Sequence, residues 1–185
     1  MENVTAFRWF SSLAAWIIAA LALTGSATAG WPSEVAGIKW EASPAAVKQT
    51  MMTKTGVAVE NEAPDQISFR GGVSSNMPVK SWQFKFTGGK LTKIVISFVV
   101  RQGSDGKGYF ANQDFAALQK QFELKYGKVK QGKARPSNDK NFEACEWDFP
   151  DDLHPGTLKS IDLYHGWTPG SAGSSHMELT YGPLE

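Results

Sequence analysis

Between Val79 and Arg101 the chain alternates apolar and polar residues twice, and Gly88-Gly89 separates the two runs. Trp82, Phe84 and Phe86 fall on one side of the first run, and Ile94, Ile96, Phe98 and Val100 on one side of the second. A period of two is the signature of a strand with one buried face. The paired glycines suit a tight primed turn, because glycine adopts positive φ without a steric penalty. An antiparallel hairpin with an aromatic face is therefore expected, and such a hairpin is marginal unless other elements cover that face. An all-helical fold is excluded.

The flanking sequence supplies candidate covering elements. Trp31 to Trp40 reads as an extended lead-in. Ser43-Pro44 opens a helix, with Ser43 as N-cap and Pro44 at the first helical position, where its missing N–H costs nothing. Val47 and Met51 lie one turn apart and face inward, and Gly56 is placed to end this helix as a left-handed cap. Gln66 to Val73 is a weak strand candidate. After a glycine-rich loop at Gln102 to Gly108, a second helix is predicted from Asn112 to Tyr126, with Phe115, Leu118 and Phe122 as its apolar stripe and Gly127 beyond its end. A lysine-rich stretch from Gly127 to Asn141 precedes three further strands at Phe142 to Phe149, Thr157 to His165 and Met177 to Tyr181. Helix, strands, helix, strands, joined by hairpin-length links, predicts an α+β two-layer domain in which two helices pack on one face of an antiparallel sheet. No convincing internal repeat or low-complexity tract is present in the residues, although the two halves of this order are loosely alike.

The first 29 residues are expected to place the chain outside the cytoplasm. Arg8 ends a short basic region, Leu13 to Leu23 is apolar, and Ala27-Thr28-Ala29 has the small-x-small pattern of a signal-peptidase site, so residues 1–29 read as a cleavable export signal. The apolar run is about half the ~20 residues a spanning helix requires. The rest, residues 30–185, suits a single domain. Of 19 basic and 18 acidic residues, Arg8 and Glu2 belong to the signal, leaving 18 and 17. That balance gives no basis for nucleic-acid binding. The single cysteine, Cys145, has no partner for an intramolecular disulfide, so stability rests on the core. Trp31, Trp40, Trp82, Trp147 and Trp167 can contribute to it.

Ala36-Gly37-Ile38-Lys39-Trp40 before Ser43-Pro44-Ala45-Ala46-Val47, the hairpin Phe86 to Leu91 (FTGGKL), and Leu124-Lys125-Tyr126-Gly127-Lys128 resemble a pattern of small exported bacterial proteins of unknown function. Similar helix-then-sheet arrangements occur in SmpA/BamE-like envelope proteins and β-lactamase-inhibitor-like domains. The resemblance implies an exported α+β domain; its shared motifs are caps, turns and core aromatics, and it implies no catalytic residue.

Residues that carry chemistry are few. Cys145 shares a strand face with Trp147 and Phe149, which suits core packing better than a nucleophile. His154, His165 and His176 are too widely spaced for one helix or strand to present two of them to a metal. Ser104 to Gly108 offers one carboxylate where a calcium loop uses several. Ser171, Ser174 and Ser175 lie outside any G-x-S-x-G elbow, and no H-E-x-x-H is present. No catalytic site, metal site or cofactor is expected.

Two surfaces are candidates for binding. Lys125, Lys128, Lys130, Lys133 and Arg135 form the densest basic run, suited either to solvation near a helix C-terminus or to anionic lipid headgroups. Opposite the core aromatics, the first hairpin presents Ser81, Gln83, Lys85, Lys93 and Arg101, and the later strands Glu146, Asp148, Asp162, Tyr164 and Glu178. In one sheet these make a face half basic and half acidic, which suits either internal ion pairing or docking of an envelope protein at Lys85 and Asp162 with Tyr164 and Trp167 as anchors. The expected function is an exported, non-enzymatic interaction module. The alternative is a carrier of a small ligand or lipid headgroup.

Overall fold

The computed structural model describes residues 30–100, 109–132, 141–152, 157–168 and 175–183. The export signal at residues 1–29, Arg101, the 102–108 loop, Lys133, Arg135, His154, Ser171 and Ser174 lie outside the described residues.

The first hairpin is the core of a larger sheet. Its strands are β6 (Met77–Thr87) and β7 (Lys90–Phe98), joined by Gly88 and Gly89 at φ 58° and 74°, as a primed turn requires. On one side lie β4 (Gln66–Gly71) and β3 (Val57–Ala63); on the other lie β11 (His176–Pro183), β10 (Leu158–Trp167), β9 (Asn141–Pro150) and β8 (Lys130–Gln131). The sheet order is β3-β4-β6-β7-β11-β10-β9-β8 with antiparallel neighbours throughout, and the two-residue β5 (Val73–Ser74) pairs with β6. A small separate hairpin, β1 (Glu34–Val35) and β2 (Ile38–Lys39), turns at Ala36-Gly37.

Register aligns the apolar residues into continuous rows across the sheet. Ile67, Phe84, Ile94, Tyr181, Ile161 and Trp147 are successive cross-strand partners, as are Phe69, Trp82, Ile96, Leu179, Leu163 and Cys145. All twelve are buried. Helix α1 (Pro44–Met52) adds Val47 and Met51 to this core, and its N-terminus is capped by the Ser43 hydroxyl, which accepts from the Ala46 amide. Helix α2 (Tyr109–Tyr126) adds Phe115, Leu118 and Phe122; the Phe122 ring lies 5.5 Å from that of Trp147. Gly127, at φ 89°, donates to the Glu123 carbonyl and ends α2 as expected. The end of α1 differs. Thr53 caps it, and Gly56 takes positive φ three residues later, in the turn into β3.

The predicted α+β class is not what the chain forms. Two helices accompany eleven strands among the described residues, and the fold is dominated by a nine-stranded antiparallel sheet. The strands that tip the balance carry weak local signals. In β3 the run Glu60-Asn61-Glu62 interrupts the apolar alternation, and a bulge between Val59 and Asn61 shifts the phase. Strands β1, β2, β5 and β8 span two residues each, too short for any periodicity.

Strand order also reveals a repeat. Helix α1 precedes β3, β4, β6 and β7, while α2 precedes β8, β9, β10 and β11, and outward from the central β7–β11 pair both sets run in the same order, last strand to first. Each half contributes one helix and four strands of the main path, and β5 beside β6 is the ninth strand.

Candidate functional site

With one face of the sheet buried, the side chains of alternate phase define the other. Register places them in three rows. Ser68, Gln83, Val95, Thr180, Asp162 and Glu146 are successive partners, and so are Arg70, Ser81, Ser97, Glu178, Tyr164 and Ala144. The third row carries Gln66, Lys85 and Lys93 on one half, and Ser160 and Asp148 on the other. The predicted charge division is therefore realised within one sheet: Arg70, Lys85 and Lys93 on β4, β6 and β7, and Glu146, Asp148, Asp162 and Glu178 on β9, β10 and β11.

Two pairings on this face oppose ordinary sheet design. Lys85 stands directly across from Lys93, and Asp162 directly across from Glu146. Like charges in that position destabilise a sheet. Partial relief comes from local contacts. Ser160 Oγ donates to Asp162 at 2.9 Å, Ser97 Oγ donates to Glu178 at 3.2 Å, and Lys130 on β8 reaches Asp148 at 2.6 Å. Lys93 lays its aliphatic stem over Gly182 on the neighbouring strand; a Cβ there would be 3.0 Å from Lys93 Cγ.

The residues expected to bind do not all meet. Lys85 is exposed and Asp162 half-buried on the same face. Tyr164 belongs to that face but is only 2% exposed, with its ring 6.1 Å from Phe142 and 5.5 Å from His176. Trp167, three residues further along β10, takes the opposite phase and stacks on His165 at 4.8 Å. Tyr164 and Trp167 therefore form no common anchor. Arg70 joins the basic half, a residue the weak strand signal of Gln66 to Val73 had not brought into the candidate face.

The basic run is also divided. Lys128 is exposed, whereas Lys130 is held in β8 by Asp148, whose hydrogen bond and charge raise the ammonium pKa. Lys130 thus extends the sheet face. Cys145 is buried, and its thiol is pushed up to about 11 by burial, then by the charges of Glu123 and Glu143. A thiol so disfavoured as thiolate is a core group. Burial likewise raises the Glu143 carboxyl pKa and holds the Tyr181 phenol well above its usual range. His165 lies in the core beneath α2, 2.9 Å from Ser175 Oγ through Nε2, while His176 lies on the outer face, so the sheet separates them. Among the described residues no group of three or more His, Cys, Asp or Glu side chains is arranged to hold a metal ion.

On the helical side, a cleft of about 320 Å³ opens between the ends of α1 and α2, lined by Lys54 and Lys125, by the carboxylate of Glu34, and by Trp82, Tyr126 and Tyr181. Among the described residues no helix is long and apolar enough to cross a membrane. No protein-family model matches the sequence, and comparison with curated proteins and with solved structures finds no match.

Proposed function

We propose that the protein is an exported, non-enzymatic interaction module of the bacterial envelope, and that the outer face of its sheet is the docking surface. The observation that carries this reading is the pair of like-charge juxtapositions, Lys85 against Lys93 and Asp162 against Glu146, on one face. Like charges directly opposite contribute nothing favourable to each other; Lys130 across from Glu146 and the other contacts of Lys93, Glu146 and Asp162 offset part of that charge within the fold, and the remainder is concentrated where a partner can meet it. The export signal read at residues 1–29 supports a periplasmic or secreted location.

A photo-crosslinking residue at Gln83, on this face, is expected to trap a partner in cells exporting the protein, and the adduct disappears in Lys85→Glu. The same residue at the exposed Thr53 beyond α1 gives no such adduct. Equal trapping from both positions, or an adduct indifferent to Lys85→Glu, would remove the sheet face from consideration. The cleft beside Lys54 and Lys125 favours a second reading, a carrier of a small anionic ligand or lipid headgroup. Thermal stabilisation by inorganic phosphate that vanishes in Lys54→Ala/Lys125→Ala is its expected signature; absence of stabilisation at millimolar phosphate counts against it.

A further inference from the structure

We infer that the partner of the outer sheet face is a second copy of this chain, bound face to face about a two-fold axis parallel to the strands. The inference rests on the docking role of that face and names its occupant.

The argument is one of charge geometry. Strands β4, β6 and β7 present Arg70, Lys85 and Lys93, and β9, β10 and β11 present Glu146, Asp148, Asp162 and Glu178, with the boundary at the β7–β11 pair near the middle of the sheet. Two such faces can meet about a two-fold axis across the strands or along them. The first places basic half on basic half, and acidic on acidic. The second places β6 of each copy over β10 of the other, so that every basic strand faces an acidic one. Both arrangements are closed and isologous, but only this one is complementary in charge, with one self-complementary patch used twice.

The rows agree in detail. Lys85 shares its row with Ser160 and Asp148, two and one strands from the acidic edge, and Asp162 occupies the adjoining row on β10. Rotation along the strands therefore seats Lys85 of one copy above the 2% exposed Ser160 of the other, beside Asp162, which accepts from Ser160, and Asp148, which Lys130 already holds. The central boundary residues, Val95 and Thr180, are uncharged, so no like charges meet on the axis. Aligned packing of two twisted sheets is an established arrangement. Six strands about 4.8 Å apart and three outward rows give a face of about 30 by 20 Å, or about 600 Å² per copy. That lies at the low end for a specific interface, the range of weak and transient encounters, and the charge complementarity across it makes association salt-dependent.

The test is sedimentation equilibrium of the protein purified after export, over a range of concentration and salt. A dimer is expected at low ionic strength, weakened tenfold or more in 1 M NaCl. Lys85→Glu/Lys93→Glu and Asp162→Lys/Glu146→Lys are each expected to be monomeric, and their equimolar mixture to form heterodimers, one copy of each. The mixture also guards against misfolding, because an unfolded variant rescues nothing. A native protein that remains monomeric at 0.5 mM and 20 mM salt, or a dimer that survives both charge reversals, overturns the inference. Monomeric protein together with a charge-dependent adduct to a different protein at Gln83 overturns the second copy alone. Loss of the adduct as well overturns the docking face itself.

Discussion

Lys85→Glu separates the stability of the fold from the use of its outer face. Directly opposed residues on adjacent strands have Cβ atoms about 5 Å apart. The Lys93 stem runs over Gly182 on β11, away from Lys85 on β6, so the two ammonium groups are no closer than roughly 6 Å and Coulomb's law in water limits their repulsion to about 0.7 kcal/mol. Exchanging one partner for a carboxylate turns that into an attraction, a swing of at most about 1.4 kcal/mol that screening at 0.15 M salt cuts to about 0.7 kcal/mol. That lies within the range of exposed ion pairs, as the exposure of Lys85 requires. For a domain of this length the gain corresponds to a rise in Tm of at most about 2 °C. Calorimetry below 1 µM, where a weak dimer is dissociated, should show this rise, and 1 M NaCl should abolish it. At high concentration the order reverses, because the native protein gains stability from association and the variant does not. A fall in Tm at low concentration, or a rise that 1 M NaCl leaves intact, would refute the reasoning.

Two further outcomes concern the fold. A methyl group added at Gly71 would press into the backbone carbonyl of Gly56 at a residue whose φ is 80°; Gly71→Ala is expected to cost about 3 kcal/mol, read as a fall in urea midpoint of more than 1 M. Gly88→Asn is its control, since φ there is 58° and the space around it is open, and an unchanged midpoint for Gly71→Ala would contradict the close approach. Cys145, with its pKa raised from 9.0 to about 11, carries about a hundredth of the ordinary thiolate at pH 8. Alkylation of the folded protein should be about 100-fold slower than of the urea-unfolded chain, the gap closing as pH rises toward 11; equal rates at pH 8 would show the thiol accessible and unperturbed.

Much of the central hairpin is legible in the residues. Gly88-Gly89 sets the turn, Trp82, Phe84 and Phe86 set one inward face, and the Ser43-Pro44 pair starts α1 where its cap chemistry says it should. Even the bulge leaves a trace. Leu91 and Ile94 are both buried but three apart, which a regular strand does not allow, and the pairing shifts between Lys85 and Phe86. That shift puts Lys85 across from Lys93; without it Lys85 faces Thr92. The opposite phases of Tyr164 and Trp167 also follow from their spacing, though only burial at 2% shows that Tyr164 is no surface anchor. The edge strand β3 was hidden by its own polar residues, which suit an edge because charge there discourages further pairing. With β3 and the two-residue strands added, the domain is sheet-dominated, where residue patterns alone predict a two-layer α+β domain with two helices on one face of the sheet.

Alternation, caps and turns act over a few residues, so they mark the two helices and the longer strands and the apolar side of each, but not β3 or the two-residue strands. They equally mark the division of charge between the first hairpin and the last three strands. How these pieces lie side by side is set by packing across the whole sheet. Ser97 on β7 reaches Glu178 on β11 across 81 residues of chain, and no local signal encodes a pairing over that distance. The adjacency of β7 and β11, the opposed Asp162 and Glu146, and the joining of a basic and an acidic half into one face depend on burying many apolar rows at once. That condition belongs to the whole sheet, because each strand's register is stabilised by neighbours far away in the chain.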